Sequence, residues 1–153
     1  MTVQPARIAH PEVLLVEDSE QDAELTLRVL QRHDLATRIV WVRDGAEALD
    51  YMFGSEDDGH SPLAAEPRVV LLDIKMPKVD GHEVLRRMKE DRRSRHIPVV
   101  VMSSSGVEHD ITTSLDRGAN SYIVKPVEFD AFSEAVRQVG TYWLRLNQAS
   151  EDR

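Results

Sequence analysis

Five short aliphatic runs, spaced almost evenly through the chain, constrain the fold more than any other feature. They are "EVLLV" (12–16), "RIVWV" (38–42), "VVLLD" (69–73), "PVVVM" (98–102) and "SYIV" (121–124). Most are apolar throughout rather than alternating, which marks strands buried on both faces, as in a parallel sheet between helices. Helical patterns lie between them. Residues 20–33 place Ala23, Leu27 and Leu30 on one stripe, and "GAEALDYMF" (45–53) follows the second run. Val84, Leu85 and Met88 are expected to face inward after the third run, and Ile111, Leu115 and Ala119 after the fourth. A last helix begins near Glu128. Five βα units in succession imply an open, doubly wound α/β fold with right-handed crossovers.

With 153 residues, the chain has the length of one domain. We expect a flexible start over 1–10, one domain over 11–148 with an extended last helix, and a flexible tail over 149–153. Formal charge is −8, which disfavours nucleic acid and anionic lipid as partners. The absence of cysteine excludes disulfides, thiolate metal sites and cysteine nucleophiles. The opening "MTVQPARIAH" has no signal-peptide core, and no apolar run could span a membrane, so a cytoplasmic location is expected.

Two segments depart from the compact scheme. "GSEDDGHSPLAAEP" (54–67) is a long polar connection, read either as a surface insertion or as a binding loop. In the last helix, Phe129, Phe132, Val136, Val139, Trp143 and Leu146 recur at helical spacing. A helix over 128–148 would span about 30 Å, against roughly 17 Å for a five-residue strand. The overhang carries Tyr142, Trp143, Leu144 and Leu146, and is expected either to form an interface or to fold back on its own domain.

Ligands of parallel α/β folds sit beyond the carboxyl ends of the strands. The first run ends in Glu17 and Asp18, the third in Asp73, the fourth in Ser103 and the fifth in Lys125. With the strand order 2-1-3-4-5, the first and third strands are neighbours, and Glu17, Asp18 and Asp73 converge. Three carboxylates this close need raised pKa values or a cation between them. Oxygen ligands favour a hard divalent ion, with Mg²⁺ the usual intracellular choice. Lys125 and Ser103 would suit a phosphoryl group placed on Asp73. Asp73 is then the nucleophile that forms an acyl phosphate. Taken singly, each residue has a plainer reading: Asp73 as a helix cap, Ser103 as a turn hydroxyl, Lys125 as a solvated charge.

The acidic pair Glu17–Asp18, "LLDIKMPKVDG" around Asp73, Ser103 and the Lys125–Pro126 pair together resemble the receiver domain of bacterial two-component response regulators. Spacing agrees, with 30 residues from Asp73 to Ser103 and 22 from Ser103 to Lys125. The resemblance covers roughly residues 11–140. It implies a flavodoxin-like five-stranded parallel sheet with helices on both faces, and Asp73 as phosphoacceptor. It also implies that Glu17, Asp18, Asp73 and the backbone carbonyl of Lys75 hold Mg²⁺. Ser103 and Tyr122 match the family's switch pair, and the Lys125–Pro126 peptide is expected to be cis. Ser104 stands where the family usually has Ala or Gly, and could narrow access to Asp73. The 54–67 insertion and long last helix, with no output domain expected, resemble the single-domain regulators that partner bacterial phytochromes. That narrower likeness implies a sensor histidine kinase of the bacteriophytochrome type as partner, and a homodimer through the last strand-helix region and tail, including Trp143 and Leu146.

On this reading the protein is no enzyme toward external substrates and catalyses only its own phosphorylation and dephosphorylation. The alternatives are an aspartate-nucleophile phosphatase and an inactive receiver-like scaffold. The phosphatase pattern needs a second acid two residues after the nucleophile, where this chain has Lys75.

Overall fold

Each aliphatic run becomes a strand: β1 (Val13–Val16), β2 (Ile39–Val42), β3 (Val69–Leu72), β4 (Val99–Ser103) and β5 (Ser121–Val124). They pair in parallel in the order β2-β1-β3-β4-β5, as the sequence predicts. The computed structural model describes residues 11–54, 63, 65–76 and 79–148. The expectations for 1–10, 149–153 and most of the 54–67 connection lie outside these residues. Helices α1 (Glu20–Arg32), α2 (Gly45–Phe53), α3 (Gly81–Glu90), α4 (Glu108–Asp116) and α5 (Phe129–Thr141) connect and cover the strands. No helix among the described residues is long and apolar enough to cross a membrane.

The continuous apolar runs are explained by two cores. Leu14, Val16, Val40, Val42, Val70, Leu72, Val99 and Val101 point to one face, where Met52, Val84, Leu85 and Met88 meet them. Val13, Leu15, Ile39, Val69, Leu71, Val100 and Met102 point to the other, against Ala23, Leu27, Leu30, Phe132 and Val136. Successive residues of one strand therefore feed opposite layers, and each buried aliphatic side chain contributes about 1.5–3 kcal/mol. β5 is an edge strand and is only half-buried.

Local chemistry sets the helix starts. The side chains of Ser19, Asp44 and Asp80 accept from the backbone N–H groups of Asp22, Glu47 and Glu83, capping α1, α2 and α3. Gly81 allows α3 to begin hard against the end of β3. A Cβ there would lie 2.4 Å from the Asp73 carbonyl oxygen and 2.5 Å from the Ile74 Cα.

Two expectations are corrected. On α4, Leu115 is 47% exposed, Ile111 is half-buried, and Ala119, though buried, lies beyond the helix end. The inward residues are Asp110 and Ser114. Polar partners decide this rotation: Asp110 meets Ser105 and Lys75, while Ser114 meets His82 across from α3. The last helix also does not run as one α-helix over 128–148. It loosens into a π turn over Tyr142–Leu146, closed by the Asn147 N–H on the Tyr142 carbonyl at 2.7 Å. Leu144 is thereby buried and Trp143 packs against the α1–α5 core. Arg68 holds the Leu144 carbonyl and Arg145 the Asp34 carbonyl, so the end folds back on its own domain while Tyr142 and Leu146 stay exposed.

At the base of the sheet, the Glu12 carboxylate accepts from the backbone N–H groups of Thr37 (2.9 Å) and Arg38 (3.1 Å). Burial acts to raise its pKa, yet these donors and the Arg38 charge hold it below 4.5. A lowered carboxyl stabilises the fold fully above its unfolded pKa, and the contribution is lost as pH falls through the folded value. Glu12→Gln is expected to cost about 1 kcal/mol at pH 7. The gap to wild type should close as urea denaturation is repeated down from pH 5 toward pH 3.

Candidate functional site

The sheet's hydrogen bonds continue one residue past the strands, and this continuation places the polar groups. Glu17 N–H donates to the Val42 carbonyl (3.0 Å), Asp73 N–H to Val16 (3.0 Å) and Lys125 N–H to Ser103 (2.7 Å). Glu17, Asp73 and Lys125 are therefore held in register with the buried sheet at its carboxyl edge. One ligand oxygen from each of Glu17, Asp18 and Asp73 lies within 4.8 Å of the others, with Glu17 and Asp73 buried and Asp18 exposed.

Lys125 organises the cluster. Its Nζ lies 2.5 Å from Glu17 Oε1, 2.9 Å from Asp22 Oδ2 and 3.3 Å from Asp73 Oδ2. The other Asp73 oxygen, Oδ1, accepts from the Lys75 N–H at 3.0 Å. Burial, aided by the Asp73 charge, pushes the Glu17 carboxyl up to about 8 against the pull of Lys125. Burial works against the charged form of Lys125, but the facing carboxylates prevail and its pKa is raised. One ammonium thus serves more negative charge than it can neutralise. An all-oxygen donor set in that condition fits a hard divalent cation.

Sequence reasoning missed two contributors. Asp22 sits in the first turn of α1, and its signal was the acidic run Glu17, Asp18, Glu20 and Asp22 at a helix start. Trp41 stands on β2, and its indole N–H donates to the Glu17 carbonyl at 2.8 Å while Arg43 stacks on its ring at 4.2 Å. The aromatic residue thereby fixes the backbone between Glu17 and Asp18. Nothing local in "RIVWV" signals that role, because the bond spans 24 residues.

The remaining predicted residues are at hand but differently engaged. Ser103 is fully buried, and its Oγ accepts from the Ser105 N–H at 3.2 Å. Tyr122 is half-buried, and its hydroxyl donates to the Ser105 carbonyl at 2.8 Å. Ser104 is exposed and, with Asp22, Leu25, Arg28, Lys125 and Phe129, lines a cavity of about 520 Å³ beside the cluster. The Lys125–Pro126 peptide is trans, against expectation, since no cis peptide occurs among the described residues. Trans is the favoured X–Pro state by about 0.5–1 kcal/mol, and Lys125 reaches all three carboxylates from it.

The model of the response regulator receiver domain family matches residues 13–137, which include every one of these positions. The chain belongs to that family. The receiver is 42% identical over 137 residues to the probable methanogenesis regulatory protein FilR2 of Methanothrix harundinacea, covering 90% of this chain and 86% of that one. It is 33% identical to the response regulator Rcp1 of Synechocystis, over 86% of this chain and 88% of the other. The solved Mn(2+)-bound form of Rcp1 superimposes with a TM-score of 0.81 at 31% identity, over 92% of this chain and 99% of that one. The phosphorylated cyanobacterial phytochrome response regulator RcpA gives the same TM-score, 0.81, at 36% identity, over 92% and 98%.

In this receiver, Lys125→Met would strand buried carboxylates without a cation, a loss of about 3 kcal/mol at neutral pH. The variant should raise the Glu17 pKa further. A raised carboxyl favours folding most below its unfolded value, and that contribution fades as pH rises through the window between the two values. Wild type already carries this carboxyl raised to about 8, so both proteins lose stability alike from about pH 4.5 to about 8. The extra deficit from Glu17 in urea denaturation should therefore open only above about pH 8.

Proposed function

We propose that this receiver accepts a phosphoryl group on Asp73 from a phosphohistidine of a sensor histidine kinase, and signals as a stand-alone module by partner binding. The observation that carries the reading is the Lys125 ammonium set between Asp73 Oδ2 and Glu17 Oε1 at the edge of the sheet. It orients the acceptor carboxylate, and Lys125 itself lines the neighbouring cavity.

In the transfer, an Asp73 carboxylate oxygen forms a bond to phosphorus as the phosphorus–nitrogen bond of the donor breaks. The leaving imidazole keeps the bonding pair and takes a proton from solvent. Lys125 shifts from pairing carboxylates to balancing a phosphoryl oxygen, and the Ser103 hydroxyl turns from Ser105 to bond another. Tyr122 answers that turn of Ser103. Glu17, Asp18, Asp73 and the Lys75 carbonyl would hold Mg²⁺, which supplies charge compensation for the transferring oxygens. Hydrolysis of the acyl phosphate restores the carboxylate, so the protein acts only on itself. We place its action in the cytoplasm, and the likeness to the phytochrome response regulator RcpA supports a kinase of the phytochrome type as partner.

The test is incubation with Mg²⁺ and acetyl phosphate, followed by mass measurement. Wild type should gain one phosphoryl group, while Asp73→Asn should gain none. Labelling that persists in Asp73→Asn, or fails in wild type, refutes the assignment.

We further propose a homodimer through the β5 edge and the chain end, where Val124 is 44% and Leu146 64% exposed. Trp143 would act in it only as support, because it packs inward. Light scattering should give a dimer for wild type and a monomer for Val124→Glu and Leu146→Glu, while far-UV spectra stay unchanged. Equal masses in all three would end the proposal.

A further inference from the structure

The mechanism above leaves one buried carboxylate without a task. Asp110 lies in the first turn of α4 and is only 7% exposed, on the face where the other helices carry aliphatic side chains. Its Oδ2 accepts from the Ser105 hydroxyl at 2.6 Å and pairs with Lys75 Nζ at 3.2 Å. The Lys75 side chain is itself 60% exposed, yet its ammonium reaches a carboxylate on another element.

Ser105 is where these contacts converge. Its N–H donates to Ser103 Oγ (3.2 Å), its carbonyl accepts from the Tyr122 hydroxyl (2.8 Å), and its hydroxyl bonds Asp110 while accepting from the Val107 N–H (3.3 Å). At the other end, the Lys75 N–H bonds Asp73 Oδ1 at 3.0 Å. A continuous path therefore runs from the acceptor carboxylate through Lys75, Asp110 and Ser105 to Tyr122.

We propose that Lys75 and Asp110 are positioning residues: their ion pair couples the loop after Asp73 to the inward seating of Tyr122. α4 turns Asp110 and Ser114 rather than aliphatic side chains toward the domain, so polar bonds with few alternatives set its rotation. Fixing the Lys75 backbone at a cation site then also fixes where its side chain holds Asp110. That in turn holds the Ser105 peptide under the Tyr122 hydroxyl. Coupling of this kind is reciprocal: seating Tyr122 strengthens cation binding as much as cation binding seats Tyr122. The proposal rests on the metal reading above and adds residues to it that touch neither the phosphoryl group nor, by their side chains, the cation.

The experiment uses the full chain labelled with 3-fluorotyrosine, with the Tyr122 signal assigned through Tyr122→Phe. Mg²⁺ binding is followed in parallel by calorimetry. In wild type, Mg²⁺ should shift and sharpen the Tyr122 fluorine signal. Asp110→Asn and Lys75→Met should each lose most of that response, Lys75→Arg should keep it, and the double variant should lose no more than either single one. If Asp110→Asn does not fold, the exposed Lys75→Met and Lys75→Arg pair carries the test alone. An undiminished Tyr122 response in Lys75→Met, with calorimetric binding intact, overturns the coupling and leaves the metal site standing. No calorimetric binding in wild type overturns both.

Discussion

The structure's carboxyl edge depends on one buried ammonium. Lys125 leaves the edge strand β5 and ends among Glu17, Asp22 and Asp73, which come from β1, α1 and β3. Adjacent strands lie about 4.8 Å apart, so bridging from β5 past β4 demands a long, flexible stem. The same geometry explains why the pair is stable and poised at once. Removing either partner would leave a desolvated charge, yet burial, aided by the Asp73 charge, keeps Glu17 raised despite the ammonium. A site built this way accepts a second cation more readily than an evenly matched pair would.

Around this site the five helices are attached in two ways. α1, α2, α3 and α5 present aliphatic residues to one of the two cores and are held by burial, which is non-directional and hard to undo locally. α4 is held by Asp110, Ser114 and their partners, through bonds that have defined geometry and can be exchanged. The element with polar attachment is the one next to Ser103, Ser105 and Tyr122. Such an attachment can shift locally, whereas tightly packed cores resist graded deformation.

The chain end shows how a pattern can be right while its consequence differs. The helical spacing of Phe132, Val136, Val139 and Trp143 does mark a buried stripe. It does not say where the stripe stops. The π turn rotates Leu144 inward and leaves Leu146 outside, and Arg68 and Arg145 tie the carbonyls down. These bonds reach 76 and 111 residues along the chain, beyond any local signal.

What the amino-acid sequence determined by itself was the frame and the positions of the polar groups at its carboxyl edge. Uninterrupted aliphatic runs ask for both faces buried, as a parallel sheet between helix layers provides, so the strands and the edge carrying Glu17, Asp18, Asp73, Ser103 and Lys125 were legible. The tertiary structure alone decided the company these groups keep. Asp22 beside Lys125, Trp41 on the Glu17 carbonyl, Asp110 turned inward and the trans Lys125–Pro126 peptide arise from contacts between elements. Periodicity reports which face of an element is apolar. Where that face is weakly apolar, as on α4, the rotation falls to directional polar bonds whose partners lie far off in the chain.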